Sequence, residues 1–222
     1  MAIKVLKEDG FDVTCYEARD YIGGIWKYSE DEYTSVQEST SFNSSRFRSA
    51  ISDFPFADDV SDYPTWRQMQ KYLNAYCDHF DLRSHIQLNS KVTGLRHEVG
   101  KWILEVTSKG RVGSLQFDKI IVSIGTFVKP KLPKLQGIEL FEGTSLHAID
   151  FHRPSEYKNK KVLLIGLHAT SQDVTTSLYK HASKVYLSHQ NGLVLVSSNL
   201  RNGKPANKHR SVTTIYFQPR DI

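Results

Sequence analysis

Cysteine is nearly absent. Only Cys15 and Cys77 occur in 222 residues, with no Cys-x-x-Cys, so neither a disulfide framework nor a zinc ribbon has material to form. A reduced, cytoplasmic setting is therefore expected. Long apolar runs are absent too: those at residues 120–124 and 162–165 fall far short of the roughly 18–20 residues that span a bilayer. The start of the chain carries Lys4, Lys7, Glu8 and Asp9, so neither a membrane helix nor a signal peptide is expected. His79 and His85, with Asp78 and Asp81 nearby, match no metal-ligand spacing, and no paired acid and base or Ser/His/Asp set stands out.

What is present is the composition of an ordinary globular protein, 39% hydrophobic and 24% charged, which excludes wholesale disorder and repeat tracts. The net charge of +5 is unevenly spread: residues 158–222 hold ten Lys and Arg against only Asp173 and Asp221. The basic residues are scattered and carry no helix-turn-helix, zinc-finger or RNA-recognition signature, so nucleic acid is not an expected partner. A solvated surface or a site for a phosphorylated ligand accounts for the charge.

Periodicity divides the chain into recognisable pieces. Residues 2–9 read as the last turns of a helix capped by Gly10, and residues 11–17 as a strand ending in an acid. Thr65 and Gln68 form a capping box for a helix to about residue 80, with Trp66, Met69, Leu73, Tyr76 and Phe80 as its apolar stripe. Between residues 86 and 117, three strand-like runs broken at Val99-Gly100 and Lys109-Gly110 predict a β-meander. Residues 119–124 read as a buried strand ending at Gly125. Residues 161–166, 171–181 and 184–188 then read as strand, helix and strand, a βαβ unit with its ligand end at the strand carboxyl ends.

Glu17 is the first chemical candidate, because an acid at the end of a second strand accepts the ribose hydroxyls of a dinucleotide. A solvated strand-end acid is the plain alternative. The glycine loop that should precede such an acid by about 20 residues would lie upstream of Met1, so a first strand and its loop are expected to be missing. The second candidate is Gly166-Leu167-His168-Ala169-Thr170-Ser171, a strand-to-helix turn in which His168 stands where a dinucleotide fingerprint has its closest-approach glycine. Thr170 and Ser171 could supply hydroxyl donors to an anion there. Past the next strand, Ser188-His189-Gln190-Asn191 contains no acid, which argues against NAD.

The run Tyr16-Glu17-Ala18-Arg19-Asp20-Tyr21-Ile22-Gly23-Gly24-Ile25-Trp26-Lys27-Tyr28 resembles the segment of flavin-containing monooxygenases in which an acid holds the FAD ribose and a Gly-Gly-x-Trp turn passes the flavin. Paired glycines suit that task, since no Cβ blocks the approach of backbone to cofactor. Ser52-Asp53-Phe54-Pro55-Phe56 is similar to another landmark of that family, and counting back from it puts Asn43 at the flavin-side asparagine, with a turn residue as the alternative. Phe141-x-Gly143-x-x-x-His147-x-x-x-Phe151 is similar to the linker between the family's nucleotide domains, shared with Baeyer–Villiger monooxygenases except that those carry Trp where Phe151 stands. His147 is read as a residue that orients domains, or as a structural histidine.

The resemblance implies an α/β fold of two nested dinucleotide-binding, Rossmann-like domains with a β-meander, the first strand and glycine loop of the FAD domain missing. Residues 1–157 would be the FAD-binding domain and residues 158–222 the start of an NADPH-binding domain. The implied site comprises Asn43 beside the flavin edge, Glu17 on the ribose, Gly23, Gly24, Trp26 and Gly125 along FAD, and Gly166, His168, Thr170, Ser171, Ser188 and Gln190 toward NADPH. Gln190 replaces an arginine that grips the 2′-phosphate in much of the family, so the expected preference for NADPH is modest. The implied reaction is reduction of FAD by NADPH, addition of O2 to give a hydroperoxyflavin, and transfer of one oxygen atom to a soft nitrogen or sulfur nucleophile. The alternatives are Baeyer–Villiger oxidation of a ketone, or an inactive truncated family member.

Expressed as residues 1–222, the chain should hold little or no FAD, because the glycine loop supplies the amides and helix terminus that anchor the pyrophosphate. Purification followed by a flavin absorbance spectrum checks this, and a stoichiometry near one FAD per chain would contradict it.

Overall fold

Two capped hairpin turns explain the best-formed part of the molecule. Val99 and Gly100 (φ 45° and 77°) and Lys109 and Gly110 (φ 50° and 74°) adopt consecutive positive-φ conformations, the geometry of type I′ turns whose twist matches that of antiparallel strands. They join β3 (Ser90–Glu98), β4 (Lys101–Ser108) and β5 (Arg111–Phe117) into the expected meander, in the order β3-β4-β5. On the central strand Ile103, Leu104 and Val106 are all buried.

The computed structural model describes residues 1–30, 33–127, 129–190, 199 and 203–205. The chain divides into two compact units, one of Met1–Lys27 and Met69–Val128, the other of Tyr28–Gln68 and Lys129–Ile222. Asn191 and the polar stretch after it lie almost wholly outside the described residues.

In the first unit, α1 (Ala2–Glu8) ends with Gly10 at φ 81°, as its sequence requires. Lys4 lies 4.9 Å above the ring of Phe80, and the Lys7 ammonium donates to the Asp81 carbonyl (3.1 Å). The strand expected over residues 11–17 is reduced to β1 (Cys15–Tyr16), parallel to β2 (Ile86–Gln87), because only two residues of each find a ladder partner. The helix α3 (Trp66–His79) starts on the expected capping box: the Thr65 amide donates to Gln68 Oε1 (3.0 Å) and the Gln68 amide to Thr65 Oγ1 (3.3 Å). Its buried residues are Met69, Tyr72, Tyr76 and Cys77, so the apolar face is shifted off Leu73 and Trp66, which stay half-buried.

The second unit holds the short α2 (Arg46–Ser49) and the expected βαβ: β6 (Lys161–Ile165), α4 (Ala169–Leu178) and β7 (Lys184–Ser188), with β6 and β7 parallel and in register from Lys161↔Lys184 to Ile165↔Ser188. Val174 and Leu178 pack with Phe151 into a core flanked by Tyr157, Val162, Leu164, Ala182 and Val185. The linker residue Phe151 thus serves packing under the βαβ.

Two strand expectations need correction. Residues 119–124 form no strand, and Ile121, Val122 and Ile124 are 59%, 65% and 75% exposed. A β conformation is held by its neighbour's hydrogen bonds, and no described strand pairs with this run. The strand over residues 161–166 is buried on one face only: Val162 and Leu164 meet α4, while Leu163 and Ile165 are 58% and 56% exposed. Among the described residues no helix is long and apolar enough to cross a membrane.

Leu178 has no exposed surface, and its truncation to Ala should destabilise the second unit by about 3 kcal/mol through lost burial and a residual cavity. Denaturant unfolding followed by circular dichroism measures it.

Candidate functional site

In the first unit the candidate site grows directly from the β1–β2 ladder. Beyond Tyr16 the ladder continues irregularly: the Glu17 amide donates to the Gln87 carbonyl, the Ser90 amide to the Glu17 carbonyl and the Asn89 amide to the Arg19 carbonyl, each at 2.9 Å. Glu17 is thereby fixed at a strand end with its side chain half-buried, and Oε1 accepts the Arg19 amide (2.9 Å). That tight local bond leaves Oε2 as the oxygen that can receive a ligand hydroxyl.

Next comes the double-glycine turn. Gly23 (φ 124°) and Gly24 (φ 55°) are both in the positive-φ region closed to most side chains. The chain then makes a single helical turn, Gly24–Trp26, in which the Trp26 amide donates to the Gly23 carbonyl (3.0 Å). Gly24 is exposed, with nothing within 4 Å of where a Cβ would stand, and Trp26 is half-buried. Arg19 closes the turn from one side: it is buried, and its Nη1 donates to the Gly24 carbonyl (2.6 Å) and to the Tyr21 hydroxyl (2.5 Å). The Lys27 ammonium lies 3.9 Å over the Tyr21 ring. Gly125 is not drawn into this cluster; it sits in exposed coil at φ 82°.

In the second unit Asn43 occupies an exposed bend between two paired stretches: the Phe42 amide donates to the Pro64 carbonyl (2.7 Å), the Arg46 amide to the Asp62 carbonyl (2.8 Å), and Ser41 bridges Thr65. The backbone around Asn43 is held, and the side chain faces outward. The same stretch is tied to α4, where the Thr40 hydroxyl donates to Asp173 Oδ2 (2.7 Å) and the Ser39 and Ser177 hydroxyls meet at 2.7 Å. Thr40 also accepts the Gln37 amide through its hydroxyl (3.1 Å). Burial pushes the Asp173 carboxyl above its ordinary range, partly offset by the Thr40 hydrogen bond.

The helix tied in this way is the one that leaves the second glycine turn. Gly166 (φ 106°) donates its amide to the Ser188 carbonyl (2.9 Å), so the ends of β6 and β7 stand side by side, as a ligand site at strand carboxyl ends needs. His168 has φ −128°, an ordinary extended conformation, and is exposed. No glycine is required there for backbone reasons; what the imidazole changes is room. Ser171 is used locally, its hydroxyl accepting the His168 amide (2.9 Å) and donating to the His168 carbonyl (2.8 Å), whereas Thr170, Ser188 and Gln190 are exposed.

The linker residues act structurally. His147 Nδ1 accepts the Ile149 amide (3.2 Å) and caps the turn leading to Phe151. Arg153 grips Glu30 through two nitrogens (2.6 and 3.1 Å). Glu30 in turn accepts the Tyr28 hydroxyl (2.9 Å). Burial first, and that hydrogen bond second, push the Tyr28 phenol up to about 12.

Sequence reasoning missed Arg19, Gln70, Thr40 and Asp173. Thr40 and Asp173 are 133 residues apart and carry no motif; Arg19 lay inside a quoted motif, but nothing in its spacing marks it as the clamp of the glycine turn.

Residues 1–217 match the sequence profile of the family described as flavin-binding monooxygenase-like. The chain is 33% identical over 215 residues to the monooxygenase aurF of Gibberella zeae, covering 95% of this chain and 41% of that protein. It is 32% identical over 214 residues to the human flavin-containing monooxygenase 1, covering 92% of this chain and 40% of the other. It thus spans about two fifths of the length of these relatives. Among solved structures, the S-allyl-L-cysteine S-oxygenase of Allium sativum superposes with a TM-score of 0.80 at 21% identity, over 90% of this chain and 50% of that one. A cyclohexanone monooxygenase of Rhodococcus superposes with a TM-score of 0.59 at 22% identity, over 84% of this chain and 35% of its own. Both likenesses are of fold.

Asp173→Asn keeps an acceptor for Thr40 and removes the titration. A carboxyl raised on folding holds its proton longer in the folded state, so stability should fall as pH rises from the ordinary aspartate range through the raised value and then level off. The Asn variant should lack that segment of the pH profile and match or exceed the wild type at neutral pH, as thermal melts across pH 3–8 would read.

Proposed function

The chain belongs to the flavin-binding monooxygenase-like family, and from that membership we propose that it is the cofactor-binding part of an FAD- and NADPH-dependent monooxygenase that places one oxygen atom from O2 on a soft nitrogen or sulfur nucleophile. Residues 1–157 form the FAD-binding portion in this reading and residues 158–222 open a nested NADPH-binding domain. The parallel pair β1–β2 and the β6–α4–β7 unit, both of which end in glycine-bearing turns, support the two dinucleotide sites.

The residues present fit FAD at two points. Glu17 keeps one carboxylate oxygen for the ribose after Oε1 has taken the Arg19 amide. Gly24 offers bare backbone at φ 55°, with open space where a side chain would stand, so a flat ring system can approach it. FAD, when bound, supplies hydride acceptance from NADPH and the activation of O2. The chain would supply positioning: Trp26, half-buried, ends the glycine turn, and Asn43 carries an exposed carboxamide, a group that can both donate and accept. Toward NADPH, the Gly166 turn and Ser188 lie together at the strand ends, and His168 and Thr170 are the exposed donors. Gln190 contributes a neutral amide where a guanidinium would form a charge-assisted bond to a 2′-phosphate.

The single observation that carries this reading is the match of residues 1–217 to that family. Within the second unit, the bond from Thr40 to Asp173 ties the stretch bearing Asn43 to the helix that leaves the Gly166 turn.

The test is Asn43→Ala in a flavin-loaded two-domain enzyme that contains this chain. Flavin content should be unchanged, while NADPH consumption is diverted into hydrogen peroxide by about tenfold or more relative to product, the size of one lost polar contact. Unaltered coupling would remove Asn43 from the site, and preferential turnover of cyclic ketones over amines and sulfides would replace nucleophile oxygenation with Baeyer–Villiger chemistry.

A further inference from the structure

We infer that Gln70 is a positioning residue for the cofactor turn: its carboxamide locks Gly23-Gly24 in the conformation that lets backbone run alongside FAD. This rests on the FAD reading above. Gln70 stands in the first turns of α3, beside the buried Met69. Its side chain reaches back 48 residues in sequence, where Nε2 donates to the Ile22 carbonyl (2.7 Å). The other end of the same planar group points at the next residue, since a Cβ placed on Gly23 would stand 2.1 Å from Gln70 Oε1. One carboxamide thus holds the carbonyl before Gly23 and fills the space beside its α-carbon. Arg19 holds the carbonyl on the far side, at Gly24.

Two consecutive glycines at φ 124° and 55° need such an outside clamp. Glycine is free to visit these conformations and equally free to leave them, so a turn built from it keeps its shape only when neighbours fix it. The Gln70 orientation is itself determined: rotated by half a turn, the carboxamide would set its oxygen against the Ile22 carbonyl, acceptor to acceptor.

Oε1 pointing the other way has a consequence for stability. It is buried and accepts no hydrogen bond, an arrangement that destabilises the fold. A methionine of similar length would fill the space without leaving an acceptor stranded. A residue kept for packing would not carry that penalty, whereas one kept for the shape of the turn would.

The experiment is Gln70→Met in the chain as it stands, without added ligand, so that FAD binding does not enter the result. Amide hydrogen exchange at the turn, read at the Trp26 amide that bonds the Gly23 carbonyl, should quicken by about tenfold or more, as local opening becomes easier, while the thermal midpoint holds or rises. Unchanged exchange at that amide overturns the inference. So does a lowered midpoint with exchange quickened along the whole of α3, the pattern of a residue that only stabilises the helix. Gln70→Leu, read in the same way, serves if the Met variant does not fold. The coupling measurement on Asn43 decides separately whether the turn serves a flavin.

Discussion

The short parallel ladder from Cys15 to Arg19 against Ile86 to Ser90 is the constraint on which the first unit depends. Only two residue pairs count as regular strand, yet three further amide-to-carbonyl bonds carry the contact on to Arg19 and Ser90. Through them the chain delivers Glu17 at a fixed point, starts the turn that leads to Gly23-Gly24, and hands Ser90 to the first strand of the meander. Each bond is modest alone, about 1 kcal/mol net. Together they are what places an acid and a glycine turn within one short stretch of backbone.

The fold and the site were unequally legible in the sequence, for physical reasons. Hairpins and helix caps are local, so Val99-Gly100, Lys109-Gly110 and the Thr65/Gln68 box announced themselves, and the structure has them where expected. The βαβ was legible because Val174 and Leu178 repeat at helical spacing between two apolar runs. The failures concern neighbours. Residues 119–124 have the composition of a buried strand, but composition cannot supply the adjacent strand that holds such a run in place. Leu163 and Ile165 failed in the same way: an unbroken apolar strand signals two covered faces, and here α4 covers one.

The site residues divide along the same line. Glu17, Gly23, Gly24 and Gly166 belong to patterns with fixed spacing and could be named. Their supports could not, because Arg19 acts through its side chain on a carbonyl five residues on, Gln70 reaches over 48, and Thr40 meets Asp173 across 133. A motif records which groups face a ligand. What holds those groups still is tertiary, and it leaves no spacing to read.

The charge distribution of the second unit follows from strand register. The basic surplus of residues 158–222 could serve a phosphorylated ligand, but Lys161 and Lys184 are paired at the amino ends of β6 and β7, while Gly166 and Ser188 meet at the carboxyl ends. Four residues of strand separate the two ends, about 13 Å at the usual rise. That exceeds the screening length of physiological salt, about 8 Å, so those ammonium groups contribute little to an anion at the glycine turn. Ser171 is engaged with His168, and Gln190 is neutral. Among the described residues at this turn, a dinucleotide phosphate would therefore meet backbone amides, the Thr170 hydroxyl and the His168 imidazole. The substitution that takes up room in the turn is thus also the one that places a polar ring beside it.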